Sequence, residues 1–241
     1  MKTSLFVALL FNLAVSFTVV AEDQNDKILI VLGGKKIDTA SLLETFKSYS
    51  NIEFDTISKP SAFNLFGSYK IKNYSAIIFY DTYQPISDVE KKSFLNIFEQ
   101  GIGCVFLHHS LVSHQEWDEY EKILGGKYFH TTYADEGKKY GPSTYKHDQD
   151  FTVIVVDSNH PVTKGVANFT IRDEAYLNFK IGKDIVPLLT TDNCENGKYI
   201  GWTKTYNKSK LVYLQLGHDN QAYSNEGFRK LLINSIHWVS R

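Results

Sequence analysis

The chain has 241 residues, of which 43% are hydrophobic and 22% are charged, and its formal net charge at pH 7 is −1. This apolar content is ample for a packed core and too high for a disordered chain. A near-neutral charge excludes the broad positive surface that binding to a phosphate backbone requires, so nucleic acid is not expected as a partner.

The amino terminus predicts a secretory signal peptide over residues 1–21. Lys2 gives a short positive start, residues 5–20 are almost entirely apolar, and Val19 and Ala21 supply the small-residue pattern that precedes cleavage. A membrane anchor is disfavoured because the apolar run is shorter than the roughly 20 residues of a spanning helix. We therefore expect a periplasmic or secreted protein without a stable membrane anchor after cleavage.

The first half of the mature chain alternates short apolar runs, of the kind buried in parallel sheets, with amphipathic segments. The strands predicted from these runs are residues 27–32, 52–57, 76–80 and 104–107. Helices are expected near Ser41 and Ser87, since each serine is followed three residues later by a glutamate in capping-box spacing. Gly101 is expected to follow the end of the second helix, and residues 60–74 are expected to form a loop.

The second half of the chain is less regular. A short helix is expected over residues 117–124, a long polar and aromatic loop over about residues 128–150, and a last helix that begins at Ser224. The strands predicted here are residues 151–156, 185–189, 199–206 and 210–216, the last two turning at Asn207. The whole pattern predicts an α/β fold, a doubly wound, mostly parallel sheet with helices on both faces, and residues 22–241 are expected to form a single domain.

Ionisable side chains gather where these strands are expected to end. His108 and His109 follow the fourth strand, His218 and Asp219 follow the last strand, and Glu174 lies in a polar segment between them. In a doubly wound sheet, ligands bind beyond the carboxyl ends of the strands. Imidazole and carboxylate groups suit both proton transfer near neutral pH and the binding of a divalent metal ion.

Each of these positions also has a structural alternative. A single histidine at a strand end is more often a hydrogen-bonded structural residue than a catalytic one. Because side chains alternate along a strand, one of His108 and His109 is expected to face away from the cleft. Glu174 could lie on a solvated turn, and Trp117 and Tyr120 could be helix residues that pack on the sheet. The sequence contains no HExxH or CxxC pattern that would identify a metal site.

Seven segments, in their order and at their separations, resemble the ThuA-like (trehalose utilisation) family of the class I glutamine amidotransferase-like superfamily. They are residues 79–81 (FYD), 101–110 (GIGCVFLHHS), 117–120 (WDEY) with 124–126 (LGG), 160–165 (HPVTKG), 173–176 (DEAY), 216–219 (LGHD) and 236–238 (IHW). The resemblance covers essentially the whole mature chain. It implies a flavodoxin-like core, a pocket around His108, Glu174 and His218, and a link to sugar metabolism, in which ThuA-like proteins accompany the oxidation of disaccharides to keto-sugars.

The amidotransferase relationship also indicates what this chain lacks. Those enzymes place a cysteine nucleophile at the turn after a strand, activated by a histidine that a glutamate orients. Here Cys104 lies too early, inside the strand, and Asn220 stands where the glutamate is expected after His218. A cysteine-dependent glutaminase is therefore disfavoured. Cys104 and Cys194 are expected to be free thiols, because a strand-centre position and a loop position seldom meet.

The resulting hypothesis is an exported enzyme that acts on a small-molecule carbohydrate, either a sugar or a keto-sugar derivative, with His108, Glu174 and His218 as catalytic residues. His218 and Glu174 would move protons, while His108 would polarise a substrate oxygen or help to bind a divalent metal ion. Aromatic faces and carboxylates suit sugar rings and hydroxyls, and the expected substrate-binding residues are Asp81, His109, Trp117, Tyr176 and Asp219. The alternative is a non-catalytic sugar-binding or scaffold protein that kept an enzyme fold. The sequence leaves open the metal, the sugar and a homo-oligomeric state.

Overall fold

The computed structural model describes residues 26–34, 37–135 and 137–240, so the predicted signal peptide lies outside the described residues. The described strands, in chain order, are β1 (Asp26–Gly33), β2 (Ile52–Ser58), β3 (Ala76–Asp81), β4 (Gly103–Leu107), β5 (Gly126–Lys127), β6 (Tyr133–Asp135), β7 (Lys138–Tyr140), β8 (Thr144–Val155), β9 (Phe169–Leu177), β10 (Lys180–Ile181), β11 (Val186–Thr191), β12 (Tyr199–Tyr206) and β13 (Ser209–Leu214).

The helices connect these strands across both faces of the sheet. They are α1 (Thr39–Lys47), α2 (Ser61–Phe66), α3 (Asp88–Glu99), α4 (Asp118–Leu124), α5 (Asn220–Tyr223) and α6 (Glu226–Val239), with 3₁₀ helices at Tyr69–Asn73 and His108–Val112. Within the described residues, no helix combines the length and apolar character needed to cross a membrane.

The central sheet has nine strands in the order β2-β1-β3-β4-β13-β12-β11-β8-β9. The strands from β2 to β13 pair in parallel and form the α/β core. The remaining strands extend this core as antiparallel neighbours. The predicted doubly wound, flavodoxin-like α/β class is confirmed, and the antiparallel extension proves important for the candidate site.

Strand β1 shows why the core strands are apolar without interruption. Successive side chains point to opposite faces of a sheet. Ile28 and Ile30 therefore pack into one core with α1 and α6, whereas Leu29 and Val31 pack into a second core with α2, α3 and α4. Because both faces are covered by helices, the four consecutive positions 28–31 of this strand are all buried, as the continuous apolar run predicts.

The predicted start and end of α3 are confirmed. The Ser87 side chain accepts a hydrogen bond from the backbone N–H of Glu90, and the Glu90 carboxylate accepts one from the backbone N–H of Ser87. Gly101 follows with φ of +77°, the left-handed conformation that terminates many helices. This end of α3 leads directly into β4, which carries the chain to the candidate site.

Two other predicted helix starts are wrong by one or a few residues. Helix α1 is capped by Asp38, whose carboxylate accepts from the backbone N–H of Ser41 at 3.1 Å, so Ser41 lies inside the helix. Helix α6 is capped by Asn225 rather than Ser224, because Ser224 ends the short helix α5. In both cases a neighbouring side chain of similar capping ability takes the position.

Two predicted loops contain regular structure. Residues 60–74 include α2 and a 3₁₀ helix, because Phe63, Phe66 and Ile71 are buried in the core beside α3. Residues 128–150 include β6, β7 and the first half of β8. In the first half of β8 nearly all side chains are exposed, so the sequence there has no apolar pattern that would indicate a strand. The hairpin between β12 and β13, with Asn207 at its turn, is confirmed.

Candidate functional site

His108 stands where β4 ends and the chain turns into a 3₁₀ helix. Its φ is +38°, a region that side chains other than glycine seldom occupy. Such backbone strain persists only where the surrounding structure holds it, and it is concentrated at functional sites. Because Leu107 of β4 lies beside Leu214 of the parallel strand β13, the segment after β13 runs next to His108 and brings His218 to the same edge.

The alternation of side chains that was expected to separate His108 from His109 is not present. The prediction assumed that the strand continues, whereas the turn at His108 ends the alternation of side chains. The two ring centroids are 4.4 Å apart, and the ring of His109 lies 5.1 Å from that of His218. The three imidazoles therefore form one group.

Glu174 reaches this edge on a two-stranded ribbon that extends from the sheet. β8 pairs with β11 only from Val153 to Val155, and its preceding part, from Thr144, pairs with β9. The ribbon is attached to the loop after β13 by Asp173, whose carboxylate accepts hydrogen bonds from the backbone N–H groups of Gly217 and His218 at 2.8 and 3.0 Å. Glu174 is thus buried within β9, and its placement on a solvated turn is wrong.

Three side-chain atoms at this point form a compact triangle. His108 Nε2 lies 2.9 Å from Glu174 Oε2 and 3.2 Å from His218 Nδ1. The third distance, from Glu174 Oε2 to His218 Nδ1, is 3.4 Å. His109 offers a further ligand atom, and all of these atoms lie within 4.8 Å of one another. We call His108, His109, Glu174 and His218 the histidine–glutamate cluster; it contains the three residues predicted to be catalytic.

The ring of His108 is held from two sides. Its Nδ1 donates a hydrogen bond to the main-chain carbonyl of Gln215, and the ring of Tyr176 lies against it with centroids 4.8 Å apart. Since a carbonyl can only accept, Nδ1 carries the hydrogen and Nε2 is directed at Glu174 and His218. His108 is fully buried, so the protein determines this orientation.

Charges within the cluster shift the pKa values of its members. Burial opposes ionisation of Glu174, but the hydrogen bonds from His108 and His218 hold the pKa of the Glu174 carboxyl well below its usual range. Burial alone would lower the pKa of His218, yet its hydrogen bond to the Glu174 carboxylate raises that pKa. Burial and the neighbouring imidazoles lower the pKa of His109 well below its usual value. The ionised form of Glu174 and the protonated form of His218 are therefore each stabilised relative to the free side chains.

His147 completes the surroundings of Glu174 and was not among the predicted site residues. Its Nδ1 lies 2.9 Å from Glu174 Oε1, and about half of its side chain is exposed. The residue comes from an irregular part of β8, where the register shifts between Lys146 and Gln149 and Asp148 has φ of +58°. This segment was predicted to be a loop, so no sequence signal placed His147 opposite Glu174.

A small cleft of about 110 Å³ opens above the cluster. Its lining consists of His147, Asp148, Asp173, Glu174, His218, Asp219 and Gln221. Asp219, predicted to bind substrate, lies at this opening and also caps α5 by accepting from the backbone N–H of Gln221 at 2.9 Å. Tyr176 does not line the cleft; it is buried behind His108.

Asp81, another predicted substrate-binding residue, is instead part of a closed polar cluster. It is fully buried and forms an ion pair with Lys59, which is also buried. The hydroxyls of Ser110 and Ser113 donate to its two carboxylate oxygens, each at 2.8 Å. Lys59 Nζ also lies 2.9 Å from His114 Nε2. We call these five residues the lysine–aspartate cluster; none of them is part of the cleft lining given above.

Electrostatics in the lysine–aspartate cluster are those of an interior ion pair. Burial opposes ionisation of Asp81, but the positive charge of Lys59 lowers the pKa of the carboxyl below its usual value. Burial and the neighbouring Lys59 charge lower the pKa of His114 to about 3, so its imidazole is neutral near pH 7. Lys59 directly follows β2, Asp81 ends β3, and the other three residues follow β4. The ion pair and its hydrogen bonds therefore link these three strand ends.

Trp117, also predicted to bind substrate, packs in the core. Its ring contacts those of Phe94, His114 and Tyr120, with centroid distances of 5.7, 6.2 and 6.3 Å. The packing alternative for Trp117 and Tyr120 is therefore correct. The side chain of Trp117 supports the start of α4 against α3 and has no place in the cleft lining.

Both cysteines are free, as predicted. Cys104 is buried inside β4, and burial raises the pKa of its thiol well above the usual value. The turn after β4 is occupied by His108. This geometry fits the prediction that the chain does not use a cysteine nucleophile at that turn.

Comparison with known proteins gives matches that cover nearly all of the described residues. Residues 27–239 match the family model ThuA, described as trehalose utilisation. A ThuA-like protein of Parabacteroides merdae is 19% identical, with 89% of this chain and 90% of that chain covered and a TM-score of 0.74. One of Bacteroides uniformis is 24% identical, with 93% and 95% covered and a TM-score of 0.68.

The similarity in fold extends to the glutamine amidotransferases. One such protein of Thermotoga maritima is 14% identical, with 90% of this chain and 99% of that chain covered and a TM-score of 0.52. At these identities the solved structures establish the fold alone. Comparison with curated proteins gives no match.

Proposed function

Because this chain belongs to the ThuA (trehalose utilisation) family, we propose that it is an exported enzyme of carbohydrate metabolism that acts on a sugar or keto-sugar derivative by acid–base chemistry. The observation that carries this proposal is the convergence of His108, Glu174 and His218 beneath an open cleft at the ends of β4 and β13. Positioned imidazole and carboxylate groups are the side chains most often used for proton transfer in enzymes.

The roles of the three residues follow from their surroundings. His218 is partly exposed and Glu174 borders the cleft, so these two are placed to exchange protons with a bound sugar. His108 is fully buried and is not part of the cleft lining, so it acts as a positioning residue that holds Glu174 and His218, rather than polarising a substrate oxygen itself. Asp219 and His147 at the rim can hydrogen-bond sugar hydroxyls.

The size of the cleft limits what reaches the cluster. A volume of about 110 Å³ holds roughly four water molecules. A complete disaccharide does not fit in this volume, so only part of one sugar unit would reach the cluster while the rest lies across the rim. We expect specificity for the reacting carbon to come from the cluster and affinity to come from residues outside it.

The test is turnover of disaccharides and their keto derivatives by the purified mature protein, residues 22–241, followed by NMR and mass spectrometry. Glu174→Gln and His218→Ala should each lower kcat/KM by roughly 100-fold or more with little change in Tm. The matched control is His237→Ala, because His237 lies on α6 beside Asn51, next to the start of β2 and away from the cleft. This variant should keep full activity.

Two outcomes would redirect the proposal. Full activity in both site variants would exclude proton transfer by Glu174 and His218. Saturable sugar binding by the wild-type protein without any product would favour the alternative, a sugar-binding or scaffold protein on an enzyme fold.

Export is a separate part of the proposal, supported by the signal-like composition of residues 1–21. Expression of the full chain with its own amino terminus should release a protein whose first residue is Glu22. A cell-associated protein that still begins at Met1 would exclude cleavage and, with it, the proposed exported form.

A further inference from the structure

The triangle of ligand atoms in the histidine–glutamate cluster has the dimensions of a metal coordination sphere. Its edges, from 2.9 to 3.4 Å, join two imidazole nitrogens and one carboxylate oxygen. Ligands bonded to one transition-metal ion at about 2.1 Å lie roughly 3.0 to 3.4 Å from one another, whether the geometry is octahedral or tetrahedral. One ion could therefore contact all three atoms without a change of fold.

The hydrogen atoms of the cluster also favour a cation at its centre. His108 donates its Nδ1 hydrogen to the Gln215 carbonyl, so in a neutral ring Nε2 presents a lone pair. That lone pair faces the Glu174 carboxylate, which can only accept, and His218 Nδ1. In the metal-free cluster a proton on an imidazole occupies this space, and a divalent ion that displaces it would satisfy all three atoms together. A carbonyl that accepts from the second ring nitrogen is also the usual arrangement around a metal-binding histidine.

His109 supplies an independent observation. Among the described residues, its Nδ1 is one of the few buried side-chain atoms without a hydrogen-bond partner. Buried polar atoms are nearly always partnered, and an exception commonly marks an absent water or ion. This side chain also offers a ligand atom within 4.8 Å of the others. These two observations place His109 as the fourth residue that could contribute a ligand atom.

The surroundings have the features that a metal site requires. Asp173 fixes the backbone of His218 and of Glu174 through hydrogen bonds to their N–H groups. His147 contacts the second carboxylate oxygen of Glu174 from the solvent side, and the cleft provides a path for an ion and its waters. The ligands are thus fixed by hydrogen bonds on the protein side and accessible to solvent on the cleft side.

We propose that His108, Glu174 and His218, with His109 as a fourth ligand, bind one divalent transition-metal ion. Three imidazoles and one carboxylate suit Zn²⁺, Fe²⁺, Mn²⁺, Co²⁺ or Ni²⁺, whereas Ca²⁺ and Mg²⁺ prefer oxygen ligands. The assignment stands on the donor geometry and does not rest on the proposed function. With the ion bound, Glu174 and His218 would act as ligands, and His147, the imidazole at the cleft that is not a ligand, would take over the proton transfer proposed for them above.

The test uses the purified mature protein after treatment with a chelator, titrated with Zn²⁺ by calorimetry and with Co²⁺ by visible absorption. We expect one ion per chain, a rise in Tm on addition of Zn²⁺, and a Co²⁺ spectrum of a protein-bound ion. Glu174→Gln and His218→Ala should raise Kd by roughly 100-fold or more and remove the Zn²⁺-dependent rise in Tm. His237→Ala should bind as the wild type does.

Folding of each variant is checked by circular dichroism without metal, and Glu174→Gln preserves the shape of the side chain in case His218→Ala unfolds. Absence of stoichiometric uptake by the wild type, or equal affinity in a folded Glu174→Gln variant, would overturn the metal site. A bound ion without sugar turnover would support the metal site and count against the proposed function. Turnover by chelated protein that takes up no ion would do the reverse.

Discussion

The histidine–glutamate cluster and the lysine–aspartate cluster lie near the same edge of the sheet and contain similar side chains, yet their hydrogen bonding differs. In the lysine–aspartate cluster Lys59 contacts both Asp81 and His114, and each carboxylate oxygen of Asp81 accepts from a serine hydroxyl. Its charged side chains are almost completely inaccessible. Such a saturated network is a structural element.

In the histidine–glutamate cluster, His108 and His218 both contact the same oxygen of Glu174, so three atoms share one small space. His109 Nδ1 has no partner among the described residues, and a cleft reaches Glu174 and His218 from solvent. The comparison teaches that a position at a strand end and a suitable residue type do not identify a functional group. Access of charged side chains to a cleft, together with a buried nitrogen that has no partner, distinguishes this site from the structural network.

Ser110 connects the two regions. Its hydroxyl donates to Asp81, and it belongs to the 3₁₀ helix that begins at His108. The closed cluster therefore anchors the strained turn that places His108 and His109 beside Glu174 and His218. Rigid support of this kind is what a precisely positioned site needs.

The comparison predicts its largest effect at Asp81. Asp81→Asn leaves the buried Lys59 charge without a counter-ion and should lower the free energy of unfolding by about 3–5 kcal/mol, measured by urea denaturation near pH 7.5. Asp88→Asn is the matched control, because Asp88 forms an exposed pair with Lys91 and should change stability little. If the two variants are equally stable, the lysine–aspartate cluster is not the structural anchor described above.

A smaller effect is expected from His114 as the pH falls. The pKa of its ring is lowered to about 3 in the folded protein, while an unfolded histidine titrates near 6.5. Between these values the unfolded chain binds one more proton, so stability is complete above pH 6.5 and is lost as the pH decreases. Lys59 and Asp81 are the charged groups that face this ring, with the Tyr120 hydroxyphenyl beside it, and the lowered pKa of Asp81 keeps it from titrating in this range.

The measurement compares unfolding free energies of the wild type and His114→Gln at pH 7.5 and pH 4.5. The wild type should lose about 2.5 kcal/mol more than the variant between these values. The subtraction removes the contributions of all other titrating groups. Parallel pH profiles for the two proteins would show that His114 is protonated in the folded state and that the network is not closed.

The fold could be predicted because buried strands and helix ends leave local signals. Residues 76–80 and 104–107 are apolar throughout since helices cover both faces of their strands, and Ser87 and Gly101 mark the ends of α3 by their own chemistry. Residues 60–74 were mistaken for a loop because their helices are too short to show a clear period. The local sequence pattern was therefore sufficient for buried strands and capped helices, and insufficient for helices of one or two turns.

The site could be predicted only in part. Strand ends and residue types pointed to His108 and His218, but the same rule selected Asp81, whose partner Lys59 comes from a different strand end. Glu174 and His147 meet because β8 and β9 pair across a register shift, which depends on contacts distant in sequence. Trp117 is an aromatic residue and was expected to bind a sugar ring, but its side chain packs in the core. Distinguishing these cases requires the partners of each side chain, which sequence alone does not contain.

The smallest predicted effect completes the comparison. Glu174→Gln keeps the shape of the side chain and a carbonyl oxygen that can accept hydrogen bonds from the neighbouring imidazoles. Water from the cleft can also solvate the imidazoles that lose their negatively charged partner. In metal-free protein near pH 7.5, loss of the charge-assisted hydrogen bonds should cost about 1–2 kcal/mol of unfolding free energy, which is less than the loss expected for Asp81→Asn. The same urea denaturation series measures both variants. A loss at Glu174 as large as the loss at Asp81 would mean that the histidine–glutamate cluster is itself a closed structural network, because only saturated interior groups lose that much stability when one partner is neutralised.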